Sequence, residues 1–240
     1  MDTNITGARI LWEADFSLPL FGKIFITETM VNAWIVMLII LGLCIFFTHN
    51  LQKIPKGKQA LIEKAVQMLD GLIEQNMGKG CEKYAPYIMT LMLSSVLGTL
   101  VSLIGLRSVT ADLNTTLGWA LMTFVLIVYT NLRYKGVGGY LKGFLEPIPV
   151  MLPLNILSEI ATPISMSFRH FGNIAGGMVI TTLLLGALGA LSSAIHLPIP
   201  LLQIGIPGVL SLYFDLFSAC IQAFIFSMLT MAYVGSAREA

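Results

Sequence analysis

Arg169 stands within the segment Pro163 to Asn173, inside a long apolar stretch of the 240-residue chain. A guanidinium stays protonated at any physiological pH, so it cannot escape the cost of burial by becoming neutral. At the centre of a membrane helix that cost is at least about 2.5–3.5 kcal/mol. Its retention implies a partner anion, a wet cavity, or both. Around it Asn155, Glu159, Thr162, Arg169 and Asn173 follow one another at offsets of four, three, seven and four, flanked by Ser158 and Ser165. Those offsets set them along one face of a 3.6-residue helix. Further on, Ser211, Asp215, Ser218 and Gln222 repeat the device at offsets of four, three and four. Two polar stripes on adjacent apolar helices can line a hydrated path. Helices packed against open water would carry many more charges. A plainer role for Arg169, an internal salt bridge tying helices together, stays open at this point.

The elements that hold these stripes are set by composition. Hydrophobic residues make up 56% of the chain and charged residues 11%, with a mean hydropathy of +0.82. A soluble domain carries about 25% charged residues, so this chain cannot coat itself with a solvated surface and lipid is its solvent. The formal net charge of +1 comes without a basic run, which leaves no basis for a nucleic-acid partner. Cys44, Cys81 and Cys220 are odd in number and scattered. They offer neither a disulfide framework nor a metal site and read as small packing residues.

A hydrocarbon core of about 30 Å needs roughly 20 apolar residues to cross it. Segments 30–48, 86–106, 117–132, 154–195 and 207–234 qualify as membrane helices. Residues 49–83 are polar, with Leu61, Ile62, Ala65, Met68, Leu69, Leu72 and Ile73 at helical spacing, which describes an amphipathic surface helix. Residues 1–29 are mixed and lack the order of a cleavable leader, so they are expected to stay as an extracytoplasmic segment. The fold class is therefore an all-α integral membrane protein, one membrane domain over 1–240, with five transmembrane helices and a cytoplasmic amphipathic helix. About 40 residues at ~1.5 Å each make the fourth helix near 60 Å, twice the membrane core. It must tilt strongly, bend at Pro163, or break near Gly186 or Gly189 into a span and an interfacial piece. The last two helices are expected long and strongly tilted.

Lys and Arg placement gives the orientation. With the amino terminus outside and the carboxyl terminus inside, ten of the fourteen basic residues are cytoplasmic: Lys53, Lys56, Lys58, Lys64, Lys79, Lys83, Arg133, Lys135, Lys142 and Arg238. Glu159 and Thr162 then lie on the cytoplasmic side of Arg169, and Asp215 nearer the exterior than Gln222. Carboxylates on opposite sides of a central cation suit two half-channels better than one continuous pore.

At these residues the sequence resembles subunit a of the F-type ATP synthases. The similarity runs through Ile54 to Glu63, Thr110 to Leu117, the arginine motif Phe168 to Gly177, and Ile221 to Phe226 in the last helix. The resemblance implies a multi-pass, non-catalytic stator subunit of a bacterial-type plasma membrane. Its implied partners are a ring of c subunits and the b-subunit peripheral stalk, and its cargo is H+ or Na+, with no cofactor or metal. It implies that Arg169 is the essential fixed cation, with Asn173 and Gln222 as its polar neighbours. Asp215 and Asp112 would serve the outer half-channel, with Ser211 and Ser218 on the same path, and Glu159 and Thr162 the cytoplasmic one. His170 stands where the family usually has leucine, and Met178 where some relatives have glutamate. His170 could tune proton access, but a helix neighbour points about 100° away, which favours packing on another face.

An ion-loaded ring carboxylate is neutral and can face lipid, whereas an empty one is charged and costly there. A fixed cation would draw the empty carboxylate, make it release its ion, and block direct passage between the half-channels. The alternative is a secondary transporter in which Arg169 binds an anionic substrate. Such folds show matching broken helices in both halves, and only one half of this chain carries polar stripes. An intramembrane enzyme would need a nucleophile, a base and oxyanion donors converging, and no such set is apparent.

Overall fold

A computed structural model describes residues 8–18, 22–195 and 212–239. Among the described residues six α-helices carry the fold: α1 (Glu28–Thr48), α2 (Lys58–Met77), α3 (Ala85–Leu100), α4 (Leu113–Gly143), α5 (Leu152–Ala194) and α6 (Ser218–Glu239). Five helical stretches are long and apolar enough to cross a membrane, namely α1, α3 with its flanking turns, α4, α5 and α6. The chain is an all-α integral membrane protein.

Before α1 the chain makes an antiparallel hairpin, β1 (Ile10–Leu18) with β2 (Gly22–Thr27), pairing Ile10 with Thr27 and Glu13 with Phe25. The mixed composition of residues 1–29 does not by itself announce this hairpin. Aromatic and β-branched residues such as Trp12, Phe25, Ile26 and Thr27 suit a pleated surface, and the register is irregular between Glu13 and Ser17.

α1 is apolar all round and buries one narrow seam, Thr29, Asn32 and Val36, spaced three and four apart. Val36 packs with Val101 and Val109. α2 buries Leu69, Ile73 and Met77 on one side and exposes Leu61 and Met68 on another. It ends at Gly78, whose φ of 77° is the left-handed setting that glycine takes without strain. The main core joins α2 and α6: Ile73, Met77, Cys81, Tyr84, Ile88, Met231 and Val234 are buried together. Gly235 permits this approach, because a Cβ there would lie 2.5 Å from the carbonyl oxygen of Asn76.

α4 runs eleven residues beyond the expected end at 132, to Gly143. A change of direction at Gly136 (φ 69°, ψ 170°) lets the helical ladder resume past the basic residues Arg133 and Lys135. α5 is a single 43-residue helix that passes Pro163, Gly186 and Gly189 without a break. Its length is near 65 Å at ~1.5 Å per residue, so it cannot stand upright in a core of about 30 Å. α6 begins at Ser218 after a π-helical turn over Leu212–Phe217. The part of the expected last span from 207 to 211 lies outside the described residues.

Candidate functional site

α5 has two unlike faces. Pro163, the adjacent Met166 and Ser167, His170, Ile174 and Gly177 are buried, forming one stripe at helical spacing. Ser158, Ala161, Ser165, Phe168, Arg169 and Gly172 are exposed. Arg169 therefore sits outside the helical core, and its guanidinium makes no hydrogen bond or ion pair with any described residue. The internal salt bridge is not formed among them. Small residues surround it on the exposed side, and a Cβ added at Gly172 or Gly176 would meet nothing within 4 Å. Packing among the described residues does not require those glycines.

The polar residues preceding Arg169 turn toward α4. Nδ2 of Asn155 donates to the carbonyl oxygens of Phe144 (2.9 Å) and Glu146 (3.0 Å), pinning the start of α5 to the end of α4. Oε1 of Glu159 accepts from the hydroxyl of Tyr140 at 3.0 Å. Thr162 donates to the carbonyl of Ser158 at 2.9 Å, a bond within its own helix. Asn173 is half-buried one turn beyond Arg169.

A cleft of about 340 Å³ opens where α4 and α6 end and α5 begins. Asn131, Lys135, Tyr140, Asn155, Glu159 and Ser236 supply its polar lining. Of the residues singled out in the sequence, it gathers Glu159, Asn155 and Ser158. Asn131, Lys135, Tyr140 and Ser236 escaped sequence reasoning, since a helix taken to stop at 132 cannot bring Lys135 or Tyr140 to the foot of α5. The surviving signal was the glycine spacing at 136, 139 and 143, which keeps that part of α4 slim.

On α6, Gln222 is 4% exposed and Ser218 9%. Nε2 of Gln222 is buried without a hydrogen-bond partner among the described residues. Asp215 belongs to the π-helical turn preceding α6, a distortion that recurs at functional sites. Its side chain and the whole of Ser211 lie outside the described residues. Asp112 is half-buried at the other end of α4. Its Oδ2 accepts from Thr29 at 2.6 Å, and its Oδ1 accepts from the backbone N–H of Asn114 at 3.0 Å, capping the helix. Along α4, Asp112 lies 15 residues before Ile127, the first residue of that helix to line the cleft, a separation of roughly 22 Å at ~1.5 Å per residue.

The arrangement offers, among the described residues, an unpaired cation on an outward face of α5, a polar cleft bearing a carboxylate nearer the start of that helix, and buried polar groups on α6. It can attract and discharge a carboxylate presented from outside the chain.

Comparison with known proteins adds to this geometry. The family model described as ATP synthase A chain matches residues 30–235. The chain is 38% identical over 225 residues to "ATP synthase subunit a, sodium ion specific" of Propionigenium modestum, covering 87% of this chain and 73% of that one. It is 35% identical over 237 residues to "ATP synthase subunit a" of Desulforamulus reducens, covering 98% and 88%. To "ATP synthase subunit a" of Moorella thermoacetica it is 33% identical over 216 residues, covering 90% and 92%.

Proposed function

On the premise that this chain belongs to the ATP synthase A chain family, we propose that it is the ion-translocating stator subunit of the membrane sector of an F-type ATP synthase. The secondary-transporter reading is set aside, since an anion-binding Arg169 would face a substrate cavity inside the chain. The observation that carries the proposal is the placement of Arg169. It is exposed, it lacks an ion pair among the described residues, and it is bordered by Ser165, Gly172 and Gly176, where a foreign helix can come close.

The partner at that face is a ring of c subunits, each bearing an ion-binding carboxylate, and the b-subunit peripheral stalk holds the chain against it. The ion, H+ or Na+, enters through an outer half-channel formed by Asp112, Asp215, Ser211 and Ser218, and reaches the ring near Asn173 and Gln222. After a turn of the ring it leaves past Thr162 and Glu159 into the cleft at the foot of α5. Basic residues at that end, Lys135 among them, support a cleft on the cytoplasmic side of a bacterial-type plasma membrane, with the amino terminus outside. Each elementary charge moved through 100 mV supplies about 2.3 kcal/mol. The chain itself performs no bond chemistry and uses no cofactor.

The test is Arg169→Ala in the whole complex. ATP-driven ion pumping in inverted vesicles is expected to vanish while hydrolysis by the detached catalytic head is unchanged. Retained coupled transport at normal complex levels would reject the reading.

A further inference from the structure

His170 follows Arg169 directly, yet the path just described does not use it. Its side chain has no exposed surface. Its Nε2 lies 3.2 Å from Oγ of Ser95 on α3. Its ring meets Trp119 of α4 edge to face at 5.9 Å and 89°, and Phe226 of α6 at 5.5 Å and 86°. One side chain of α5 thereby touches α3, α4 and α6. Nδ1 has no partner among the described residues, so Ser95 is the ring's single hydrogen-bond anchor.

We propose that His170 is a positioning residue: through Ser95, Trp119 and Phe226 it fixes the rotation of α5 about its own axis and so aims Arg169 outward. This rests on the reading of Arg169 as the fixed cation. A helix with most of its surface exposed is held in rotation only by its buried stripe. Met166 and Ile174 in that stripe are apolar, and apolar contact is non-directional. Around Arg169 the directional contacts are Ser167 with Thr116 at 3.1 Å and His170 with Ser95; those of Asn155 and Glu159 lie ten residues or more toward the start of α5. Edge-to-face ring pairs add a second angular preference. Since successive residues project about 100° apart, the inward setting of His170 and the outward setting of Arg169 are one constraint. A rotation of α5 that withdrew the imidazole from Ser95 would swing the guanidinium by the same angle.

The experiment uses the assembled complex in vesicles, with Ser95→Ala, His170→Gln and His170→Leu. Transport is normalised to the amount of complex. A spin-label pair at Leu121→Cys on α4 and Ile180→Cys on α5 reports the rotation independently of transport. Both positions are exposed. Loss of one neutral hydrogen bond corresponds to roughly a fivefold change in a two-state population. Ser95→Ala is expected to lower coupled transport per complex severalfold and to broaden the label distances. His170→Leu is expected to do more, and the two together no more than His170→Leu alone. His170→Gln, which can still reach Ser95, should restore part of the coupling with an unchanged pH profile. Unaltered label distances in both Ser95→Ala and His170→Leu would overturn the proposal whatever the transport shows. A pH profile displaced by His170→Gln would overturn it in favour of a proton relay. Shifted distances with normal transport would instead overturn the role given to Arg169. Should His170→Leu fail to assemble, Ser95→Ala carries the same test.

Discussion

The hydroxyl of Tyr140 donates to Oε1 of Glu159 across 3.0 Å, joining the last turns of α4 to the second turn of α5. The carboxylate is thereby held at the wall of a cleft rather than left to rotate. Tyr140→Phe deletes the donor and little else. If Glu159 lines the exit path, ion pumping should fall a few fold in Tyr140→Phe and about tenfold or more in Glu159→Ala. The double variant should match Glu159→Ala, since both act through one group. Pumping measured in inverted vesicles, normalised to complex content, decides it; additive losses would mean that Tyr140 acts elsewhere.

Arg169→Lys keeps the charge but exchanges a planar fork for a compact, strongly hydrated ammonium. Opposite a travelling carboxylate the fork can offer two parallel donors. Coupled pumping in Arg169→Lys is therefore expected to fall at least about tenfold rather than to persist near normal. Near-normal pumping would show that charge alone suffices at this position.

Asp112 has two competing roles, and substitution separates them. As the cap of α4 it accepts from Asn114, and it also accepts from Thr29. Asn serves an N-cap about as well as Asp, whereas Ala costs roughly 1 kcal/mol. Asp112→Asn should leave the level of assembled complex unchanged, and Asp112→Ala should lower it. A drop in pumping for Asp112→Asn at normal assembly would add an ion-path role to the structural one. Full pumping in that variant would confine Asp112 to capping.

The polar stripe of α5 could be read from sequence because an arginine in an apolar helix is too costly to be incidental. Helix ends were harder to read. Arg133 and Lys135 resemble a loop, yet α4 continues because Gly136 takes a positive φ and redirects the ladder. A break near Gly186 or Gly189 was one alternative to a tilted or bent helix, and α5 runs through both. Glycine weakens a helix only mildly in sequence terms, and tertiary setting decides the outcome. The inward setting of His170 agreed with the 100° step from Arg169. Its three contacts did not announce themselves, since Ser95, Trp119 and Phe226 lie far from it in sequence and have other uses. The buried Thr116–Ser167 pair was equally hidden, because a hydroxyl in an apolar helix can satisfy itself on its own backbone.

Gly235 and Gly172 make opposite demands, and the contrast tests where the partner sits. At Gly235 a Cβ would lie 2.5 Å from the carbonyl oxygen of Asn76 and 3.1 Å from Cα of Met77. Backbone must move to admit it, so Gly235→Ala should destabilise the chain by about 1–3 kcal/mol and lower the amount of folded subunit recovered. At Gly172 a Cβ meets nothing within 4 Å, so Gly172→Ala costs the isolated fold nothing and adds helix propensity. The same position lies on the exposed face less than one turn from Arg169. If a rotor helix runs against that face, a bulkier Gly172→Leu must push it away from the guanidinium. Subunit levels should then stay normal while coupled transport falls about tenfold or more. Normal transport in Gly172→Leu would mean that no helix passes closely there, and the outward arginine would need another partner.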